Sequence, residues 1–137
     1  MVMLPRLATF LVAALIPLAA SAQGSPPNAD DISKSEIVAS LWCDTPDQLE
    51  TVLRAHYTNK VPMGDAMAEI NRDSPEACVV ARAIVAPGAE VRRLTAGDNI
   101  MSLRSAKVMG IMRGPYALMM RPQIWYYVRI VAALTPL

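Results

Sequence analysis

The hydrophobic period of this chain changes at Glu76, and that change limits what it can fold into. Before it, apolar positions recur at helical spacing: Leu49, Val52, Leu53 and His56 form one stripe, and Met67 with Ile70 a second. After it, short β-branched runs are punctuated by turn residues. Residues 77–85 end at Pro87-Gly88, 89–94 at Ala96-Gly97-Asp98, and 100–112 at Arg113-Gly114-Pro115. Residues 116–120 and 124–131 complete the set, divided by Pro122, and Gly110 marks a bend or bulge in the longest run. The pattern predicts an α+β chain: two N-terminal helices followed by a small five-stranded antiparallel SH3-like barrel or curved sheet.

The helix ends are marked as clearly as the period. Asp44 or Thr45 can accept from the first free backbone N–H groups, and Pro46 fits a first turn, where its missing donor costs nothing. Thr45 with Gln48 matches capping-box spacing. This helix is expected to end near residues 57–59. A second is expected over about 63–72, stopped by Ser74-Pro75 because the residue before proline avoids helical geometry. Residues 37–42 are a short apolar run, a strand or a helical turn packing on the core.

The first 22 residues belong to a different argument. Arg6 precedes an apolar stretch over residues 7–20, and the triplet Ala20-Ser21-Ala22 has the small residues a signal peptidase admits, so cleavage is expected before Gln23. The stretch is too short for the ~20 helical residues that span a bilayer. An uncleaved amphipathic or buried helix is the alternative, opposed by Pro17. No cysteine stands at the cleavage point, which argues against a lipid-anchored lipoprotein. Residues 23–35, polar and rich in Pro, Ser and Asp, are expected to be a flexible leader. Residues 36–137 then form a single disulfide-bonded domain. Arg82, Arg104, Arg113, Arg121 and Arg129 interrupt every later apolar run, so no transmembrane segment is expected after cleavage, and the protein is expected to be periplasmic or secreted.

Cys43 and Cys78 are the two cysteines of the chain. Export places them in an oxidising compartment and favours a disulfide between them. It would tie the start of the first helix to the start of the first strand. A redox pair usually has C-x-x-C spacing, and two thiols with one histidine make a poor metal set.

Charge divides at the same point as the period. Residues 23–76 carry ten acidic and four basic groups, whereas 77–137 carry eight basic groups against Glu90 and Asp98. Either the two halves face each other, or the β half offers a basic face to an anionic envelope component or a protein.

Cys43-Asp44-Thr45-Pro46-Asp47-Gln48, Ala66-Met67-Ala68-Glu69-Ile70-Asn71 and Ala77-Cys78 together resemble a pattern in small exported bacterial proteins of unknown function. Residues 123–127 stand where those proteins have a Gln-x-Tyr-like stretch. The resemblance implies export and a shared disulfide framework, and no activity.

No G-x-S-x-G, H-E-x-x-H, paired acidic motif or phosphate loop occurs, so an enzyme is not expected. His56 is the only histidine, and Asp44, Asp47 and Asp65 have ready roles at helix starts. The methionines read as core fillers rather than a Cu(I) cluster. In the last run, alternation puts Ile124, Tyr126, Val128 and Ile130 on a core face and Trp125, Tyr127 and Arg129 on the other. With Arg121 and Arg113 these make an expected aromatic-basic binding row, unless helices cover it. The expected function is a non-enzymatic binding or assembly protein of the bacterial cell envelope, contacting a protein, peptide or anionic glycan, with no cofactor, metal or nucleic acid. The alternative is a small secreted enzyme or enzyme inhibitor using His56 and nearby carboxylates.

Overall fold

A computed structural model describes residues 28–134. The expected signal, residues 1–22, and the first part of the expected leader lie outside the described residues. Seven elements follow in order: α1 (Ala29–Ser33), β1 (Glu36–Cys43), α2 (Pro46–Tyr57), α3 (Met63–Asp73), β2 (Cys78–Ala96), β3 (Asn99–Arg113) and β4 (Tyr116–Ala133). The four strands form an antiparallel sheet in the order β1-β2-β3-β4, closed into a barrel where Trp42 and Cys43 pair with Tyr127 and Tyr126.

This corrects the expected two helices followed by a five-stranded SH3-like barrel. A strand, β1, precedes α2 and α3, and the five expected runs are three long strands. Pro87-Gly88 does not turn the chain. The β2–β3 register steps from Pro87↔Ala106 to Glu90↔Arg104, so the dipeptide lies in a bulge. A Cβ on Gly88 would stand 2.7 Å from the Ser105 carbonyl oxygen, which is why a glycine occupies this close approach. Pro122 likewise sits where β4 carries extra residues between Gly110↔Met119 and Val108↔Gln123, a place where its missing N–H breaks no ladder bond.

α2 begins at the predicted cap. Gln48 N–H donates to Thr45 Oγ1 at 3.2 Å and Thr45 N–H to Gln48 Oε1 at 3.2 Å. Its buried stripe, Leu49, Val52 and Leu53, packs with Ala66 of α3 against Leu41, Leu94, Met101 and Leu103 on one face of the sheet. The opposite face forms a second core of Trp42, Ala83, Val85, Ala106, Val108 and Tyr127. The Cys43–Cys78 disulfide joins β1 to β2 at a register pair, with Cα atoms 4.2 Å apart, the close spacing of a non-hydrogen-bonded antiparallel pair.

The acidic and basic halves meet through ion pairs. Arg92 reaches Asp47 at 2.8 Å and Glu50 at 2.9 Å, Arg129 reaches Glu36 at 3.2 Å, and Lys107 reaches Asp31 at 2.8 Å. Asp31 lies in α1, within the described part of the expected leader. The Lys107 ammonium, and next the Asn28 N–H, hold the Asp31 carboxyl below its usual range. A depressed folded value stabilises the folded state above the unfolded value, about 3.9, and that stabilisation is lost as pH falls through the lower folded value. Protection of the α1 amides, measured against their intrinsic exchange rates, is therefore expected to fall as pH drops below about 4, with a weaker pH response in Asp31→Asn. Identical profiles for the two proteins would show that the pair does not hold α1.

Candidate functional site

The expected aromatic-basic row keeps its common face but not its exposure. The middle of β4 is covered on both sides: Tyr126 and Val128 pack on the helix-facing core, while Trp125 and Tyr127 pack with the second core. Tyr127 is 0% exposed, with its ring centroid 4.8 Å from that of Trp42. Ile124 and Ile130, expected inside, are exposed. The inversion has a simple cause. Alternation gives each residue a side of the sheet, but here both sides are packed, and exposure depends on distance from the barrel's closure. Arg129 pairs with Glu36, and its guanidinium lies 5.9 Å over the Tyr127 ring. Arg121 is exposed on the distal half of β4.

The Tyr127 hydroxyl is buried without a hydrogen-bond partner among the described residues. Removing an unpaired buried hydroxyl relieves its desolvation cost. Tyr127→Phe is thus expected to leave stability unchanged or raise it by up to about 1 kcal/mol. Urea unfolding would measure this, and a loss beyond 1 kcal/mol would mean that the hydroxyl is satisfied in solution.

Trp125 and Arg113 do come together, although not on one face of one strand. The β2–β3 ladder ends at Ala83↔Ile111. Beyond it β3 continues with β4 alone, through Met112↔Ala117 and Arg113↔Tyr116, to the turn at Gly114, whose φ of +59° suits glycine. The two-stranded arm leaves the start of β2, and a groove of about 440 Å³ opens between them. Val79, Val80 and Ala81 form its β2 wall; Ile111, Met112 and Arg113 form its β3 wall. Trp125 also lines it, with its indole N–H donating to Gln123 Oε1 at 3.0 Å and its ring 6.4 Å from Trp42. Glu76, in left-handed backbone at φ +61°, stands at the β2 end.

Six of the eight lining residues are apolar, one of them aromatic, and the other two, Glu76 and Arg113, carry opposite charges. The arm around it exposes Tyr116, Leu118 and Met119. Of the lining residues, only Trp125 and Arg113 were expected from sequence. The hairpin tip was legible in Arg113-Gly114-Pro115, but nothing in the composition of residues 79–81 marks the strand from which β3 departs.

His56 is committed to structure. Its Nδ1–H donates to the Val61 carbonyl at 2.8 Å and its ring meets Tyr57 edge-on at 4.7 Å. Asp44 lies beside the disulfide, where burial raises its pKa, and its N–H donates to the Ala77 carbonyl at 2.9 Å. Among the described residues no three His, Cys, Asp or Glu side chains form a group that could hold a metal ion.

No family model, curated protein or solved structure matches the chain. The groove's own geometry is therefore the basis for a functional reading.

Proposed function

We propose that this chain is an exported, non-enzymatic binding and assembly protein of the bacterial cell envelope, which holds a segment of a protein partner in the groove beside Trp125 and Arg113. One observation carries the reading: the β2–β3 ladder parts after Ala83↔Ile111 and leaves a groove lined by Trp125 and Arg113. Aromatic and arginine side chains are the types that supply most of the energy in protein contacts. The Arg6-led apolar stretch and the Ala20-Ser21-Ala22 triplet support export, and the Cys43–Cys78 bond is compatible with an oxidising compartment. The resemblance carried by Cys43-Asp44-Thr45-Pro46-Asp47-Gln48 supports the same address.

The test is capture from an envelope extract by wild type, Trp125→Ala, Arg113→Gln and Arg129→Ala. Trp125→Ala and Arg113→Gln are expected to lose the captured protein by tenfold or more. Arg129→Ala, which alters a residue outside the groove, is expected to retain it. Equal recovery from all four would remove the groove as the site. Fractionation of cells making the full chain tests the address: the mature protein is expected outside the cytoplasm with Gln23 at its N-terminus.

A further inference from the structure

β2 has a partner on one side for longer than on the other. β1 pairs with every residue from Cys78 to Val85, whereas pairing with β3 starts only at Ala83. In an antiparallel ladder the N–H and C=O groups of alternate residues point to the same side. Cys78 shows which phase points away from β1. Its N–H donates to Asn71 Oδ1 at 2.9 Å, and its carbonyl accepts from Asn71 Nδ2 at 2.9 Å. The Asn71 carboxamide thus stands in for one residue of a neighbouring strand.

Val80 follows in the same phase, with its N–H and C=O directed toward the groove, and no strand pairs with it on that side among the described residues. At Arg82 the ladder already begins, because in this phase the Arg82 backbone closes the Ala83↔Ile111 pair. An edge of this kind is a template for another strand. From Cys78 to Arg82 β2 runs roughly 13 Å at ~3.3 Å per residue, room for a short extended segment beside Val80.

Resting on the groove reading above, we propose that the occupant is an extended polypeptide segment that adds as a strand to β2 at Val80. Main-chain bonds supply its affinity, and its alternate side chains meet the Trp125 and Met112 walls. Charge specifies the partner further. No acidic residue follows Asp98 in the chain, while Arg82 is exposed beside the open edge and Arg113 lines the groove. The segment is therefore apolar with at least one carboxylate. Glu76 stands across from Arg113's strand on the β2 side and disfavours a second carboxylate there.

The experiment uses the disulfide-bonded mature protein and a displayed library of random twelve-residue peptides. Selected peptides are expected to be apolar with an acidic residue and to protect the Val80 amide from hydrogen exchange. Val80→Pro removes one edge donor without touching the β1 ladder, and is expected to weaken binding at least tenfold more than Val80→Ala, which trims the groove wall equally but keeps the donor. The second arm needs no protein variant. N-methylation of the peptide at alternate residues in one phase is expected to weaken binding at least tenfold, and in the other phase to leave it unchanged. Binding lost with Trp125→Ala but indifferent to Val80→Pro and to both methylated peptides would overturn strand addition and leave the groove reading standing. If no peptide is enriched, and phosphatidylglycerol vesicles bind the arm instead, both readings fall.

Discussion

Replacing both cysteines, Cys43→Ala with Cys78→Ala, is expected to lower the unfolding free energy by about 4 kcal/mol, the loop-closure value for a cross-link of this span. The bond closes 35 residues of sequence that contain α2 and α3. Both cysteines are essentially fully buried, and alanine avoids placing a hydroxyl where no partner awaits it. Against a total of roughly 5–15 kcal/mol for a domain, the loss is a large fraction of what keeps the chain folded. Guanidinium unfolding of the oxidised protein and the double variant measures it. A difference under 1 kcal/mol would mean that the unfolded chain already holds β1 near β2, so that the cross-link removes little entropy.

Trp42→Ala is expected to cost about 3–5 kcal/mol, the range for emptying a large aromatic from a core. Trp42 is 1% exposed and pairs with Tyr127 at the closure of the barrel. Its indole N–H donates to the Ala81 carbonyl at 3.1 Å. Trp42→Phe separates these roles: it keeps most of the ring volume and loses the hydrogen bond, for an expected cost of about 1–2 kcal/mol. Thermal unfolding of the two variants checks the order. If Trp42→Ala cost no more than Trp42→Phe, packing at the closure would contribute little.

Local chemistry was readable wherever a few neighbouring residues settle the geometry. Thr45, Pro46 and Gln48 announce the start of α2, because a cap is completed within one helical turn. Ser74-Pro75 stops α3 for an equally local reason. Pro87-Gly88 and Pro122 show the limit. A residue lacking an N–H and a residue lacking a side chain suit a turn and a bulge alike, and only a strand lying alongside decides between them. Residues 37–42 were ambiguous until β2 was present to pair with them.

The candidate site was legible in part and for the wrong arrangement. Trp125 and Arg113 were chosen for residue type, and both line the groove. Their expected companion Tyr127 is buried, because its place at the closure brings it onto Trp42. Val80 gave no signal at all. Its significance is positional: it follows a residue capped by Asn71 and precedes the point where β3 rejoins β2.

The sequence by itself determined the limits of α2 and α3, the disulfide partners and the turn between β3 and β4, since each depends on residue type and near neighbours. Tertiary structure decided that five runs are three strands, that β1 completes the sheet, and that β2 and β3 part to leave a groove beside Val80. Those outcomes depend on pairing between segments far apart in the chain. The hydrophobic period at Glu76 distinguishes helix from strand, but it does not say which strand lies beside which.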